Sequence, residues 1–575
     1  MPRANDAVEA VLLEYAELLA ILTEDRFKPR AYEKAARAVG GYPSDVATLD
    51  VSGLQAIPNV GRSIAEKIRE YLDTGSIQAL EELRARIPAG VRDMMAVPGV
   101  GPKKAMVLHE ELGVSSPEEL AAAVEGGAIA GLRGFGPRTA ENIARGLERM
   151  QSSEGRAQIA QAMDAAEALL AELSALPSVR RAAYAGSLRR MRETIGDVDL
   201  LVASDDPGPV MDAFARMAVR GQVLARGDAK TSILTSRGLQ VDLRVVDEEV
   251  WGAALIYFTG SKAHNVRIRE IAVRRGLKLS EYGLFDAETE ELIVAETEEA
   301  VYERLGRQWI PPTLREDRGE VEAAAARELP RIVERSQIRG DLHTHTNLTD
   351  GVASLEEMIA AARPLRYAYL AITDHAPNLY MQRMTAEKML EQRDRVRAIA
   401  AGERFELLHG TELNIGPDGT LDWDDEFLST FDVCVASVHS HFNQSSEEMT
   451  RRIIRAIENP LVNILGHPTT RRIGARPPIE FDEDAVFEAA ARTGTALEVN
   501  SHPDRLDLND ERILRARHRG VRFAIDTDSH AVGHLDLMRF GVGIAQRGWL
   551  TKDDVINAWP LGRLRRFLRK GRPAR

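Results

Sequence analysis

The chain has 575 residues, of which 44% are hydrophobic and 28% charged, and its formal net charge is −13 at pH 7. This length exceeds one hydrophobic core and predicts three to five domains. The single cysteine, Cys434, excludes internal disulfide bonds, and the absence of a long apolar run excludes an obvious membrane span. The acidic total does not exclude a nucleic-acid partner, because phosphate contact depends on local cations and backbone amides.

The first part of the chain, residues 1 to about 150, predicts short helices punctuated by glycine and proline. Its first apolar stretch, 8–22, is interrupted by glutamates and indicates an amphipathic helix rather than a signal peptide. We therefore expect a protein of the reducing cytosol that has no membrane partner.

Three similar segments, 57–68, 97–108 and 132–143, place a Gly-x-Gly-like turn before the start of a helix, with Asn59 replacing one glycine. Such glycines let the main chain approach a phosphate, and the free amides of the following helix face it. The segments resemble helix–hairpin–helix motifs, which bind DNA backbones without reading bases. A tight turn used only for packing is the alternative. The residues assigned to DNA binding are Gly61, Gly99, Gly101, Lys103, Gly134 and Gly136.

Short β-type runs begin at about residue 178 and carry three acidic residues. Asp197 and Asp199 alternate on one predicted strand and share a face, which Asp242 on a second strand can reach. Three converging carboxylates suit two Mg²⁺ or Mn²⁺ ions that activate a 3′-hydroxyl and stabilise a departing pyrophosphate. Solvated strand carboxylates are the alternative, although the residues around these acids are apolar.

Polar groups ahead of this acidic pair suit a triphosphate. The amide and hydroxyl of Gly186 and Ser187 can hold phosphate oxygens, and Arg190 can add charge at the leaving group. Helices are predicted over 156–176 and 209–219, on either side of the acidic strand.

Residues 1–317 resemble a family X DNA polymerase of the beta type, and YFTGSKAHNVRIR (257–269) matches its nucleotide-pocket segment. The resemblance implies that two aromatic rings bound the sugar, that Asn265 contacts the incoming nucleotide and that Arg269 contacts the templating base. Lys262 stands where the beta enzyme has an acid, and a lysine there could bind phosphate or base directly. The pocket residues are Tyr257, Phe258, Gly260, Ser261, Lys262, Asn265 and Arg269.

Two further features bear on the activity of this region. The turn at 236–238 is short where template-independent relatives carry a long loop, which favours a templated reaction. The N-terminal segment resembles the family's lyase domain, and Lys67 falls on the Schiff-base lysine of that domain. Ser63 replaces a neighbouring phosphate-binding lysine, and a solvated helix lysine beside Glu66 is the alternative reading of Lys67.

From Ile338 onward, strand-like runs alternate with helices and end in residues that bind transition metals. This repetition predicts a largely parallel sheet that can close into a barrel, with a site at the strands' C-terminal ends. Imidazoles with bridging carboxylates suit up to three Mn²⁺, Zn²⁺ or Fe ions if Glu412 bridges two of them. The predicted ligands are His343, His345, Asp350, His375, Glu412, His439, His467, Asp528 and His530.

This segment resembles a PHP (polymerase and histidinol phosphatase) domain, and the resemblance implies a distorted β/α barrel with every ligand position filled. Asp341 and Asp374 are expected to orient the histidines, and His441 and His502 could touch substrate. Three substrates suit the metal centre about equally: a DNA 3′ end, an abasic-site phosphodiester and a small phosphomonoester. Bacterial family X polymerases with this domain imply a Mn²⁺-dependent 3′–5′ exonuclease. The basic tail from Arg563 either holds DNA or is a solubilising helix end.

The predicted fold is multidomain α plus α/β. Its parts are a helical lyase-like domain (1–84), a fingers-type helix–hairpin–helix domain (85–152), a nucleotidyltransferase palm (153–251), a thumb with the nucleotide pocket (252–317), a charged helical linker (318–338) and the PHP domain (339–575).

The functional hypothesis is a templated, gap-filling DNA polymerase with a 3′–5′ exonuclease, acting in base-excision or end-joining repair. Gapped or nicked duplex DNA and deoxynucleoside triphosphates are the expected partners of a monomer in the bacterial cytoplasm, at the nucleoid. The alternatives make the PHP domain a pyrophosphatase, a small-molecule phosphatase or a DNA-binding scaffold.

Overall fold

A computed structural model provides the fold. It describes residues 4–22, 27–40, 42, 45–95, 97, 100, 102–132, 135, 139, 143–144, 147, 156–217, 222–227, 230–236, 238–379, 384–403 and 405–571. None of the helices in these ranges combines the length and apolar character needed to span a membrane.

The N-terminal region is helical throughout its described residues, as the sequence predicts. Side-chain caps begin several of its elements: Asp50 accepts from the amide of Gly53, and Ser116 accepts from that of Glu119. A single apolar core runs from Val8 to Leu147, so the two predicted N-terminal domains pack as one body. The helices are Ala4–Leu22, Phe27–Gly40, Val51–Gln55, Arg62–Thr74, Gln78–Arg86, Ala89–Met95, Pro102–Leu112 and Pro117–Glu125.

The palm is a five-stranded sheet with the helices Ile159–Ser174 and Pro207–Met217 packed against it. The strand that carries Asp197 runs parallel to the strand that carries Asp242, and the other pairs are antiparallel. The exposed edge strand Gln222–Arg226 was not predicted from the sequence. In sheet order the strands are Val179–Tyr184, Asp197–Ser204, Gln240–Val246, Lys230–Leu234 and Gln222–Arg226.

The thumb combines helices with a three-stranded antiparallel sheet that was not predicted from the sequence. Each strand has only three or four residues, too few to display a clear alternation in the sequence. The strands are Leu277–Ser280, Gly283–Asp286 and Leu292–Val294, and the helices are Trp251–Thr259, Lys262–Arg274 and Glu298–Arg304.

The predicted helical linker, 318–338, is helical over Glu320–Ala326 and forms a 3₁₀ turn at Arg335–Gln337. The predicted charged, helical linker is therefore helical over only part of its length. Arg327 adopts a left-handed conformation (φ 61°) and ends the helix, while Val321 packs into the thumb core. This segment thus belongs in part to the thumb. Its many charged residues gave no indication in the sequence that Val321 is buried.

The C-terminal domain is a nearly closed barrel of seven parallel strands that follow chain order. A parallel bridge between Thr344 and Ser529 joins the extensions of the first and last strands. Capping side chains such as Ser354 and Ser445 start the outer helices. The strands are Gly340–Asp341, Tyr369–Ile372, Glu406–Asn414, Val433–Ser437, Ile464–Leu465, Ala496–Asn500 and Phe523–Asp526. The helices are Leu355–Ala362, Ala386–Ala400, Asp425–Leu428, Ser446–Glu458, Glu483–Thr493, Asp510–His518, Met538–Arg547 and Leu561–Leu568.

The C-terminal helix, Leu561–Leu568, packs against the apolar residues inside the barrel. Leu564 and Leu568 are buried with the strand residues Tyr369 and Leu408. Since the carbonyl of Leu568 also accepts from the Asn463 side chain, this basic segment contributes to the barrel's structure. The apolar core outside the barrel continues without a break into the palm, so the two domains share one core.

Candidate active sites

The palm carboxylates converge because of strand register. Asp199 and Asp242 are directly paired in the parallel ladder, and Asp197 lies two residues away on the same face. One oxygen from each carboxylate lies within 4.8 Å of the others. Asp242 is buried, Asp199 half-buried and Asp197 exposed, so the cluster opens toward solvent on one side.

The charges of this cluster are strongly coupled. Burial, and then the neighbouring carboxylates of Asp197 and Asp242, raise the pKa of Asp199 to about 7. Burial alone would raise the pKa of Asp242, but hydrogen bonds from Lys230 and Gln240 outweigh it and lower that pKa. The Nζ of Lys230 lies 2.5 Å from Oδ2 of Asp242. Sequence reasoning missed Lys230, although its place two residues before Ser232 puts it on the face of the sheet that carries Asp242.

Gly186 and Ser187 begin a short helix directly behind the carboxylates. Gly186 has a φ of 58°, and a methyl group there would overlap Oδ2 of Asp199. Arg190, predicted to face the leaving group, instead has its guanidinium engaged in this structure. Its Nη1 donates to the carbonyl of Thr259 at 2.5 Å, and its Nε donates to Glu316 at 3.0 Å.

The predicted nucleotide pocket forms where two thumb helices meet. Tyr257 and Phe258 end the first helix with their rings edge to face at 5.1 Å. After Gly260, Ser261 caps the second helix by accepting from the amide of His264. The side chain of Asn265 donates to the carbonyl of Tyr257 at 2.7 Å. A shallow cavity between these helices is lined by Tyr257, Asn265, Arg269 and neighbouring apolar residues, and Lys262 is exposed beside it.

Lys67 lies in the N-terminal region, half-buried on the helix that Gly61 begins. Its Nζ donates to Oγ of Ser63 at 3.3 Å and lies 5.9 Å from the ring centre of Tyr15. Glu66, the neighbour in the alternative reading, pairs with Arg62 instead.

Four of the predicted DNA-binding glycines, and the side chain of Lys103, lie outside the described residues: Gly99, Gly101, Gly134 and Gly136.

In the barrel, the carboxylate of Glu412 lies at the centre of the predicted ligands. Its Oε1 is 3.1 Å from Nε2 of His439 and 3.1 Å from Nε2 of His467. Its Oε2 is 3.0 Å from Nδ1 of His375 and 3.3 Å from Nε2 of His343. Nε2 of His345 is 3.5 Å from the same Oε2, so one carboxylate faces five imidazoles, the geometry of a bridging ligand.

The remaining ligands complete the rim. Oδ1 of Asp528 is 3.2 Å from Nε2 of His345. Asp350 lies between two rings, with its Oδ2 3.4 Å from Nε2 of His375 and its Oδ1 3.3 Å from Nε2 of His530. Ligand atoms within 4.8 Å of one another form three groups: His345, Asp350, His375 and His530; His343, His345, Glu412 and Asp528; and His375, Glu412 and His439.

These side chains fit divalent metal ions. Several of their nitrogen and oxygen atoms are buried and have no hydrogen-bond partner among the described residues, which is costly unless an ion binds them. The atoms are Nε2 of His343, Nδ1 and Nε2 of His345, Oδ1 of Asp350, Nδ1 of His375 and Nδ1 of His467. The mixture of imidazole and carboxylate donors suits Mn²⁺, Zn²⁺ or Fe rather than Mg²⁺ alone.

Buried acids and amides hold the ligands in place. Glu498, which sequence reasoning did not single out, accepts from Nδ1 of His343 at 2.6 Å and from the amide of His467 at 2.5 Å. Its place inside the buried strand Ala496–Asn500 was the available signal, because a buried strand acid needs a partner. Oδ1 of Asn414 accepts from Nδ1 of His439 at 2.7 Å.

Asp341 and Asp374, expected to orient the histidines, accept from backbone amides and threonine hydroxyls of the segments that carry the ligands, rather than from the imidazole rings. Asp374 accepts from the amide of Thr346 at 2.8 Å and from the hydroxyl of Thr349, and so fixes the loop between two ligands. Asp341 accepts from Thr527 across the strand ends.

Other charged groups border the rim of the barrel. Arg505, also missed from the sequence, has its Nε 3.8 Å from Oδ2 of Asp528, and its Nη1 has no hydrogen-bond partner among the described residues. His502 is paired with Asp504, and His441 contacts Ser440. Arg505 is therefore the rim cation best placed to meet a substrate anion.

Comparisons with known proteins match the domains that carry these candidate sites. Four family models match: Helix-hairpin-helix domain (3–77), SAM-like Helix-hairpin-helix tandem (91–149), DNA polymerase beta thumb (254–316) and PHP domain (341–502). The DNA polymerase/3′-5′ exonuclease PolX of Bacillus subtilis (strain 168) is 37% identical over 567 residues, which cover 97% of this chain and 99% of that protein. The chain belongs to the PolX family.

PolX membership confirms the resemblance to family X polymerases with a PHP domain, and the predicted fold class is confirmed with it. Other relatives match one part of the chain. DNA polymerase lambda of Rattus norvegicus is 25% identical over 321 residues, 51% of this chain and 53% of that protein. A probable phosphatase of Thermoanaerobacter sp. (strain X514) is 26% identical over 246 residues, 40% of this chain and 94% of that protein.

Proposed function

We propose that the chain is a templated, gap-filling DNA polymerase that carries a metal-dependent 3′–5′ exonuclease in its barrel and acts in DNA repair. The paired register of Asp199 and Asp242 in a PolX-family chain carries the polymerase assignment. The central carboxylate of Glu412 carries the nuclease assignment. Each cluster is built from residues of one chain, so neither site requires a second copy.

In nucleotide addition, Asp197, Asp199 and Asp242 hold two Mg²⁺ or Mn²⁺ ions, which, when bound, activate the primer 3′-hydroxyl and neutralise the departing pyrophosphate. The Gly186 amide and Ser187 hydroxyl bind triphosphate oxygens. Tyr257 and Phe258 shape the sugar pocket, Asn265 and Arg269 contact the incoming nucleotide and the template, and Lys262 binds phosphate or base. The short connection from Thr235 to Leu239, closed by a hydrogen bond between their backbones, favours a templated reaction.

Extension of a gapped duplex tests the polymerase. Wild-type protein should fill the gap with Mg²⁺ and deoxynucleoside triphosphates, and Asp242→Ala should abolish extension. Asp205→Ala, which removes an exposed acid just beyond the same strand as Asp199, is the matched control and should extend normally. Undiminished synthesis by Asp242→Ala would reject the assignment. A nicked and an unprimed duplex, tested in parallel, define the preferred DNA.

In the barrel, the eight ligands of the three groups, with His467 beside Glu412, would hold up to three Mn²⁺, Zn²⁺ or Fe ions, which would activate water for attack on phosphorus. Arg505 is placed to bind a substrate phosphate oxygen next to Asp528. Fusion to a polymerase favours a DNA 3′ end as substrate over a small phosphoester.

A substrate panel separates the remaining alternatives. Purified protein with Mn²⁺ is offered a 3′-recessed duplex, an abasic-site duplex, pyrophosphate and a phosphomonoester. The proposal expects 3′ resection to be fastest and to vanish in His375→Ala while gap filling persists, with the exposed His518→Ala as the control. Resection that survives His375→Ala would place the nuclease elsewhere. Faster cleavage of pyrophosphate or of the phosphomonoester would replace the exonuclease assignment with a pyrophosphatase or phosphatase assignment.

We also propose that Lys67 gives the N-terminal region 5′-deoxyribose-phosphate lyase activity. The supporting observation is that Glu66 pairs with Arg62, so the amine of Lys67 faces a hydroxyl and aromatic rings. Borohydride should trap a covalent complex with an incised abasic site in wild type and in Lys34→Ala, an exposed control. Loss of the adduct in Lys67→Ala is expected, and its persistence would exclude this role.

A further inference from the structure

The barrel domain contacts the part of the palm that precedes the metal-binding strand. The barrel helix Met538–Arg547 lies against the loop that follows Gly186 and Ser187. In this loop Met191 has a left-handed φ of 55°, and its side chain fills the space beside Gly543, where a methyl group would overlap it. The conformation of this palm loop, which follows the predicted triphosphate-binding residues, therefore depends on packing against the barrel helix.

Arg547, at the end of this barrel helix, joins three parts of the molecule. It is 2% exposed. Its Nη1 donates to the carbonyl of Arg190 in the palm and to Oε1 of Glu316 at the end of the thumb, both at 2.8 Å. Its Nη2 donates to Oδ2 of Asp510 in the barrel at 2.6 Å. The planar guanidinium makes these bonds in fixed directions, which a more flexible cation cannot reproduce.

The contacts continue from Arg547 to the nucleotide pocket. Glu316 accepts from Nε of Arg190 at 3.0 Å, and Nη1 of Arg190 donates to the carbonyl of Thr259 at 2.5 Å. Thr259 directly precedes Gly260 and Ser261 of the pocket. A continuous series of hydrogen bonds thus links the barrel helix to the backbone that leads into the predicted nucleotide pocket.

The two carboxyl groups that Arg547 contacts both have lowered pKa values. Burial opposes the charge of Glu316, but Arg547 and Arg190 outweigh it and lower the pKa of its carboxyl. The pKa of Asp510 is lowered in the same way by Arg547 and Arg318. Removing the central cation would leave two partly buried carboxylates without their main partner, so neighbouring groups would have to move.

We propose that Arg547 and Asp510 are positioning residues of the polymerase: they fix Arg190, and through it the nucleotide pocket at Thr259 and the loop at Gly186. The barrel domain then holds the nucleotide pocket of the polymerase in position, in addition to carrying the proposed nuclease site. This inference rests on the proposed polymerase function.

Steady-state gap filling by the full chain tests it, with KM for the deoxynucleoside triphosphate and kcat measured separately. Arg547→Met should raise KM at least about fivefold, the lower end of typical coupling between sites, with a smaller effect on kcat. Arg547→Lys should recover part of the loss. Because Arg547 does not contact the described metal ligands, 3′ resection by the same preparations should be unchanged.

The matched control is Arg539→Met on the same barrel helix. Arg539 also contacts the palm, where its Nη1 lies 3.0 Å from Oε1 of Glu167. Its side chain is 40% exposed, and Glu167 belongs to the helix Ile159–Ser174 rather than to the loop after Ser187. An exposed pair of this kind contributes little, so KM should not change.

An unchanged KM in Arg547→Met, with 3′ resection intact, would overturn the inference. An equal rise in Arg539→Met would also overturn it, because general domain packing would then explain the effect. If Arg547→Met does not fold or loses resection, Asp510→Asn, which keeps the side-chain shape, decides by the same two criteria. Failure of the wild-type protein to fill gaps would instead reject the polymerase assignment.

Discussion

Gly186 lies so close to Asp199 that no side chain fits between them: a methyl group on Gly186 would overlap the carboxylate oxygen Oδ2. Gly186→Ala should therefore displace this carboxylate. A displacement of about 1 Å can cost a reaction about 100-fold, and we expect a loss of that order in kcat/KM for gap filling. Resection by the barrel should be unaffected.

The control for this change is Gly238→Ala. Gly238 also has a positive φ, of 75°, but a methyl group there meets no atom within 4 Å. Its variant carries similar backbone strain without displacing a carboxylate and should keep most of its polymerase activity. Equal losses in the two variants would indicate strain rather than displacement as the cause.

Glu498 holds His343 and the backbone of His467, so its charge should support metal binding in the barrel. Glu498→Gln keeps the shape but weakens both interactions, and we expect metal affinity to fall by about 10- to 100-fold. Titration of metal-free protein with Mn²⁺ measures this directly. Glu488→Gln, at an exposed position on the preceding helix, should bind as wild type, and equal affinities in the two variants would contradict the assigned role.

Metal removal should destabilise the barrel, because the ligand atoms around Glu412 are left without partners. At a metal concentration about 100 times Kd, the bound ion stabilises the fold by roughly 3 kcal/mol. Thermal unfolding with and without a chelator should show this difference in wild type and in the exposed Glu447→Gln variant. The difference should shrink in Glu412→Gln, and a chelator effect of full size there would argue against Glu412 as a bridging ligand.

The stability of the barrel should also depend on pH through His409, which is outside the metal cluster and stacks on Phe431 with ring centres 5.2 Å apart. Burial, with repulsion from Arg393 and Arg397, lowers the pKa of His409 to about 3. Below its unfolded pKa the unfolded chain binds the proton more readily, so stability falls as pH falls from about 6.5 toward 3.

His409→Phe removes this proton and should flatten the dependence by up to about 1.4 kcal/mol per pH unit across that range. Denaturant unfolding between pH 7 and about pH 5 provides the measurement. Replacement of the exposed His518 by Asn should leave the slope unchanged. A His409→Phe slope equal to that of wild type would show that His409 is protonated in the folded barrel.

The metal-binding residues could be found from the sequence because their signals are local. Asp197 and Asp199 share a strand face by period two alone, and the barrel ligands follow strand-like runs whose C-terminal ends must meet at one rim. The short strands of the thumb could not be found in this way, since three or four residues do not establish a period.

Other features depended on partners that are distant in the sequence. Lys230 reaches Asp242 through an antiparallel register, and Glu498 finds His343 across the barrel. Arg190 was assigned to a leaving group by its proximity to Gly186, whereas the tertiary structure pairs it with Glu316.

Local patterns in the sequence were enough to predict the candidate metal ligands, because the period of a strand and the residues that follow it are properties of neighbouring residues. Only the tertiary structure decided how the two centres are supported: the palm and barrel share one apolar core, and Arg547 links the barrel to the nucleotide pocket. These relationships depend on which surfaces pack against each other and exclude water. The packed segments lie hundreds of residues apart in the sequence, so local patterns do not reveal them.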